Sequence, residues 1–340
     1  MTQTARIDWV DYAKGISIIL VVMMHSTLSS EAALGVAGWL HPVVEFAKPF
    51  RIPAFFLIAG LFAARGIGKD WRSFLDSKIA HFAYFYVLWL SIQFVFRAPV
   101  YAAQDGAFEA LRLYLLAFID PFGTLWFIYL LPVFFLVARL TRALPPALVL
   151  IAAALLESAP IATGWTLIDE FAARFVYFYA GYLFGGWIVA HTQWFAARPA
   201  ITTLALAVWA PLTAACVGAS LAQLPGISLA LGFAGAAAVV AVSVLLARLD
   251  VVRWLGACGR QSLVIYLAFF LPMAVTRIAL TKSGLITDAG TVAALVTLVA
   301  VIVPLVLHRL VRGTAFSFLF ERPDRFHLST PGRTALQPAE

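Results

Sequence analysis

Lys14 and His25 stand eleven positions apart in an otherwise apolar stretch, with Asp11 one turn ahead of the lysine. On a helix, at about 100° per residue, that spacing returns to within about 20° of the same face. It separates the two side chains by roughly 16 Å along the axis. A neutral imidazole deep in such a segment can take a proton from a hydroxyl at ordinary pH. A lysine three turns away can hold an anionic group, with Asp11 as its partner. The same residues also have a plainer reading, as a snorkelling lysine and a histidine bonded to a neighbouring helix. From the residues alone both readings stand.

Two further groups carry charge where charge is costly. Glu45, Lys48 and Arg51 lead into Pro53-Ala-Phe-Phe56 and Gly60. Arg51 can face inward and bind a polar or anionic ligand group, or it can form a surface pair with Glu45. The short basic stretch from Gly66 to His81 carries Lys69, Arg72, Lys78 and His81, just after Arg65. Its charge serves membrane topology, or it receives a phosphorylated donor. Gln93, Glu157, Arg174 and Arg277 lie near the ends of apolar runs and read as structural. Cys216 and Cys258 suggest neither a disulfide nor a metal site. No phosphate-cradling glycine loop, zinc spacing or Gly-x-Ser-x-Gly elbow occurs.

The elements that position these residues follow from composition. Of 340 residues, 63% are hydrophobic and only 12% charged, and the mean hydropathy is +0.93. Soluble domains carry roughly 25% charged residues. The apolar runs are about 20 residues long, the length of a spanning helix rather than of an alternating barrel strand. Ten spans are expected, near 12–30, 48–66, 79–97, 124–142, 145–161, 172–191, 200–221, 227–247, 257–279 and 290–311. The first is read as a retained helix, not a cleaved signal peptide: Asp8 and Asp11 precede it and no small-x-small site follows. With a cytoplasmic N-terminus, 17 of the 24 lysines and arginines fall on inner segments and 7 on outer ones. That is the positive-inside bias, so the net charge of +7 reflects topology and not nucleic-acid binding. The expected fold is an all-α integral membrane bundle of about ten transmembrane helices, with both termini inside. Trp9, Trp71, Trp126, Trp165, Trp187 and Trp254 sit at span ends as interfacial anchors. Tyr101 to Leu116 is mildly amphipathic and reads as a surface segment. The spans make one domain over 1–312, and 313–340, with Pro323, Pro331 and Pro338, read as a mostly disordered cytoplasmic tail.

Asp11-x-x-Lys14-Gly15, with His25 ten residues beyond Lys14, resembles the first span of the acyltransferase-3 family of membrane O-acyltransferases, which shows Arg or Lys, ten residues, then His. Three more segments agree in order. Phe50 to Gly60 is similar to the family's Pro-x-Phe-Phe-x-x-Ser-Gly. Leu125-Trp126-Phe127 resembles its Leu-Trp-Phe helix start, and Gly259 to Leu267 resembles its Gly-x-x-Ser-Leu-x-Ile-Tyr-Leu. The likeness covers about residues 6–312, and Arg6 to Asp11 is closest to the fucose 4-O-acetylase-like branch. The chain departs in three places: Ala59 stands for the family's serine, Lys78-x-x-His81 for Arg-x-x-Arg, and Ala268-Phe269-Phe270 where a histidine often follows.

The resemblance implies transfer of an acyl group, most often acetyl, from cytoplasmic acyl-CoA to a hydroxyl of a carbohydrate or lipid-linked glycan. No bound cofactor or metal is expected; acyl-CoA is a co-substrate, and the bilayer, acceptor and donor are the partners. The implied setting is a bacterial inner membrane. His25 is the candidate general base, Lys14 the donor-binding cation and Asp11 its fixing carboxylate. Arg51 and Trp126 shape the acceptor side, and Arg72, Lys78 or His81 meet the donor's diphosphate. A proton-coupled transporter with His25 as relay is the alternative, although no inverted repeat is visible. A non-catalytic scaffold is a further one.

Overall fold

The computed structural model describes residues 7–121 and 123–328, and these contain no β-strand. Helix α1 (Asp8–Leu34) runs for 27 residues and stops at Gly35, whose φ of 72° suits a residue without Cβ. A short α2 (His41–Ala47) turns the chain into α3 (Arg51–Gly60). The return passes through α4 (Ala63–Ile67) and α5 (Trp71–Phe74), then a π-helical segment Leu75–Ala80, into α6 (His81–Asp105). There follow α7 (Ala107–Leu116), α8 (Trp126–Leu140), α9 (Pro146–Ser158), α10 (Thr166–Ala197), α11 (Pro199–Gly218) and α12 (Ile227–Leu249). The last elements are α13 (Arg253–Arg260), α14 (Ser262–Ala268), α15 (Phe270–Ser283) and α16 (Ala289–Val311).

Among the described residues, six helical stretches are long and apolar enough to cross a membrane, and a seventh if α14 and α15, bent by 54°, count as one. Helices α3 and α9 are apolar but short. The 32-residue α10 is long, but its tyrosines, glycines and terminal charges dilute its hydropathy. Large apolar side chains such as Val95, Leu204 and Leu310 point outward, as they do where hydrocarbon is the solvent. The surface segment expected at 101–116 is helical, split at Gly106 between α6 and α7.

Helix α1 lies at the centre, packed against α3, α12, α13 and α16. Two glycine seams set how closely its neighbours approach. A Cβ on Gly15 would fall 2.2 Å from the Leu255 carbonyl oxygen, and one on Gly259 would fall against the Asp11 carbonyl. Hence α13 touches α1 backbone to backbone, beside Lys14. Gly60 of α3 meets the Phe178 carbonyl of α10 in the same way, and Gly181 and Gly185 of α10 meet the carbonyls of Leu57 and Leu61. Without a hydrophobic drive between helices in lipid, such small-residue seams are how they hold together.

Three expectations need correction. The run 48–66 is not one helix: it breaks after Gly60, and the segment beyond it is pinned by buried Arg139, which donates to the carbonyls of Ile67 (2.6 Å) and Lys69 (2.7 Å). The run 257–279 breaks at Gln261 and again at Phe269. There α13 must follow α1 while α14 turns Tyr266 onto α8. Finally, 313–328 is not disordered. Two 3₁₀ turns, Ala315–Leu319 and Asp324–Phe326, lie against α6. Trp89 and Tyr84 donate to the carbonyls of Leu319 (3.0 Å) and Phe318 (2.9 Å). Arg322 pairs with Asp76 at 2.8 Å, their side chains only 4% and 9% exposed. The physical reason is that Phe320 and this ion pair bury themselves on the bundle, and the partner Asp76 lies too far off in sequence for the segment's own composition to reveal it. The remainder of the expected tail, 329–340, lies outside the described residues.

Candidate active site

Lys14 and Lys78 line one cavity of about 240 Å³. Its walls come from α3 (Phe55, Ile58, Ala59), α8 (Phe127, Ile128, Leu131, Phe135), α6 (Phe82) and α14 (Ser262, Leu263, Tyr266). The Lys78 ammonium lies 4.5 Å above the Phe135 ring, a cation–π contact that lets a charge sit among aromatics. Glycine at 66 leaves the room its side chain needs, since a Cβ there would fall 2.4 Å from Lys78 Cε.

Tyr266 builds one wall. Its hydroxyl donates to the Thr124 carbonyl at 2.5 Å and accepts from the Ile128 N–H at 3.3 Å. These bonds satisfy polar backbone at the start of α8, where an orphan N–H would be costly. Phe127 stacks on Phe55 (4.6 Å between centroids) and packs on Phe56 (4.5 Å) and Tyr266 (5.5 Å). Trp126 is half-buried beside Phe56 and Phe127. The four sequence segments singled out above, distant along the chain, thus supply the walls of a single cavity.

His25 lies farther along α1, on the Lys14 face, and does not line that cavity. Its ring packs against buried Phe269 at 5.6 Å, and Phe269 in turn lies 6.4 Å from Tyr266. Among the described residues the imidazole has no hydrogen-bond partner. Arg51 is within electrostatic reach of it. Arg51 donates through Nη1 to the Val44 carbonyl at 2.9 Å, while its buried Nε finds no partner among the described residues. A base within electrostatic reach of a guanidinium can accept a proton while the cation steadies negative charge developing nearby.

Other expected residues lie apart. Asp11 is buried at a separate polar cleft with Asp8, Tyr12, Asp250, Arg253 and Arg260. Arg72 is exposed and donates through Nε to the Leu328 carbonyl at 2.8 Å. His81 sits edge-on to Phe82 and Phe85, within electrostatic reach of Lys78, Asp76, Arg322 and His327. At Asp70, outside the spans, the Ser73 N–H at 2.9 Å holds the carboxyl below its ordinary range. That bond caps the start of α5.

Sequence reasoning missed three features. Arg139, read as topology, is a buried clamp whose guanidinium also stacks over Trp71 (4.1 Å) and Phe74 (4.6 Å). Asp76 and Arg322 had no visible link, being far apart in sequence. Glu157 and Arg174, assigned structural roles, line a polar cavity with Glu45 and Lys48. The one signal was their polarity at span ends.

The chain matches the sequence model of the acyltransferase-3 acyltransferase domain over residues 7–309. The chain belongs to the acyltransferase-3 family. It is a multi-pass membrane protein that carries an acyltransferase domain through nearly its whole length. It is also similar to the inner membrane protein YcfT of Escherichia coli K12, with 28% identity over 209 residues. That match covers 53% of this chain and 57% of YcfT, so the chain spans little more than half the length of the relative. No solved structure matches it.

Proposed function

We propose that this protein is an inner-membrane O-acyltransferase that moves an acetyl group from cytoplasmic acyl-CoA to a hydroxyl of a carbohydrate or lipid-linked glycan. The observation that carries the reading is the convergence of Lys14, Phe55, Ala59, Phe127, Ser262 and Tyr266 on one cavity, in a chain of this family. The ten-span topology with both termini inside, and the fucose 4-O-acetylase-like branch, belong to the same proposal. They are supported by the distribution of basic residues and by the sequence from Arg6 to Asp11. The relative's name, inner membrane protein, supports the location.

The roles follow from placement. Acyl-CoA carries its thioester at the end of a long flexible arm, away from its phosphates. Lys14 and Lys78 hold the donor near the cytoplasmic mouth, with Arg72 and His81 on the same basic stretch. His25, roughly 16 Å deeper along α1, removes the proton from the acceptor hydroxyl. The oxygen attacks the thioester carbonyl and forms a tetrahedral oxyanion beside the Arg51 guanidinium. Collapse forms the ester, breaks the carbon–sulfur bond and releases the thiolate, which takes the proton from His25. Asp11 keeps the Lys14 end of α1 in place, and Trp126 walls the acceptor side.

Purified protein in nanodiscs, given labelled acetyl-CoA and a glycan panel, should release CoA and label a glycan. Solute uptake by proteoliposomes without an acyl donor would instead establish the transporter reading.

A further inference from the structure

A second cavity, of about 260 Å³, is polar where the lysine cavity is aromatic. It is enclosed by the end of α2, by α9, α10 and the start of α12, and by the turn after α11. Glu45, Lys48, Glu157, Arg174 and Tyr177 line it, with Gln223 at the turn. The Tyr177 hydroxyl donates to Glu157 Oε1 at 3.2 Å, and Lys48 Nζ pairs with Glu45 Oε2 at 3.3 Å. Arg174 is steadied by Glu170 at 3.1 Å. Gly232 gives the tyrosine hydroxyl its space, since a Cβ there would fall 2.3 Å from that oxygen.

Two carboxylates and two cations line this space, so their formal charges cancel. An anionic headgroup would find as much repulsion as attraction. A sugar ring bears hydroxyls that both donate and accept, and it suits a space lined by donors and acceptors together with the one tyrosine, Tyr177. The volume, about 260 Å³, falls just below the usual range of ligand pockets, roughly 300 Å³ and upward, so it suits no more than one small polar ring. Arg51 donates to the carbonyl of Val44, next to Glu45 of this cavity, and is within electrostatic reach of Arg174 and of His25.

We infer that this cavity receives the acceptor as a neutral, hydroxyl-rich sugar unit, whose reacting hydroxyl passes Arg51 to reach His25. The inference rests on the acyltransferase reading and adds to it the acceptor's site and charge class.

The test is titration calorimetry on the protein in nanodiscs, without any acyl donor, using methyl α-fucoside, methyl α-glucoside and glucuronate. A neutral glycoside should bind, and Glu157→Gln and Arg174→Gln should each weaken it at least tenfold. Ser228→Phe, which fills the cavity without touching a charge, should do the same. Thermal unfolding of each variant identifies any that misfold. In turnover the variants should raise the acceptor KM and leave the acetyl-CoA KM in place. No glycoside binding, preference for glucuronate, or an unmoved acceptor KM in folded variants overturns the inference while leaving the acyltransferase reading intact. Failure of the wild type to turn over acetyl-CoA sinks that reading separately, because glycoside binding needs no donor.

Discussion

Lys14 and Lys78 come from opposite ends of the N-terminal quarter of the chain, yet line the same aromatic cavity. Both side chains face that small space. A polyanionic ligand there would meet two cations at once. Replacing either with methionine keeps most of the side-chain bulk and removes the charge. Each variant should weaken acetyl-CoA binding about tenfold, near the low end expected for a charge-assisted contact. Lys14→Arg should restore much of the loss. Equilibrium binding of a fluorescent CoA analogue measures it; unchanged affinity in both methionine variants would remove the donor role from this cavity.

His25 has no hydrogen-bond partner among the described residues, so removing it should cost little stability. General-base catalysis contributes about 10²–10⁴-fold. His25→Gln should therefore lower kcat by about 10³-fold while the acetyl-CoA KM and the thermal midpoint hold. Near-normal turnover would exclude the imidazole as the base.

The α3–α10 seam leaves no room for side chains. A Cβ on Gly181 would fall 2.2 Å from the Leu57 carbonyl oxygen, a backbone atom that cannot step aside. Gly181→Leu should destabilise by about 1–3 kcal/mol or more, read as a lower thermal midpoint in detergent. Gly186→Leu is the control, since nothing lies within 4 Å of a Cβ there.

Asp76 and Arg322 form a nearly enclosed ion pair. Removing one partner leaves a buried charge, at a cost of about 3–5 kcal/mol. Arg322→Met should loosen Gly313–Leu328 and expose it to protease, and Asp76→Asn in the same chain should recover part of the protection. A segment equally resistant in the single variant would show that Phe320 and the backbone bonds to α6 hold it alone.

Much of this molecule was fixed by local sequence. Long apolar runs with few charges must become helices in lipid, because only a helix pairs its own backbone within one segment. Each of the ten expected windows is accordingly helical in whole or in large part. The Lys14–His25 alignment also followed locally, since helical pitch puts residues eleven apart on one face. Tertiary structure decided what no window could. Periodicity does not say that Tyr266 must bend its helix toward α8, that Arg139 must hold the chain at Ile67 and Lys69, or that Glu157 and Arg174 share a cavity with Glu45. Nor does it bind Arg322 to Asp76 across most of the chain. Those outcomes depend on which helices become neighbours, and in this protein glycine seams set how closely they do, through contacts between backbones that bear no side-chain pattern of their own.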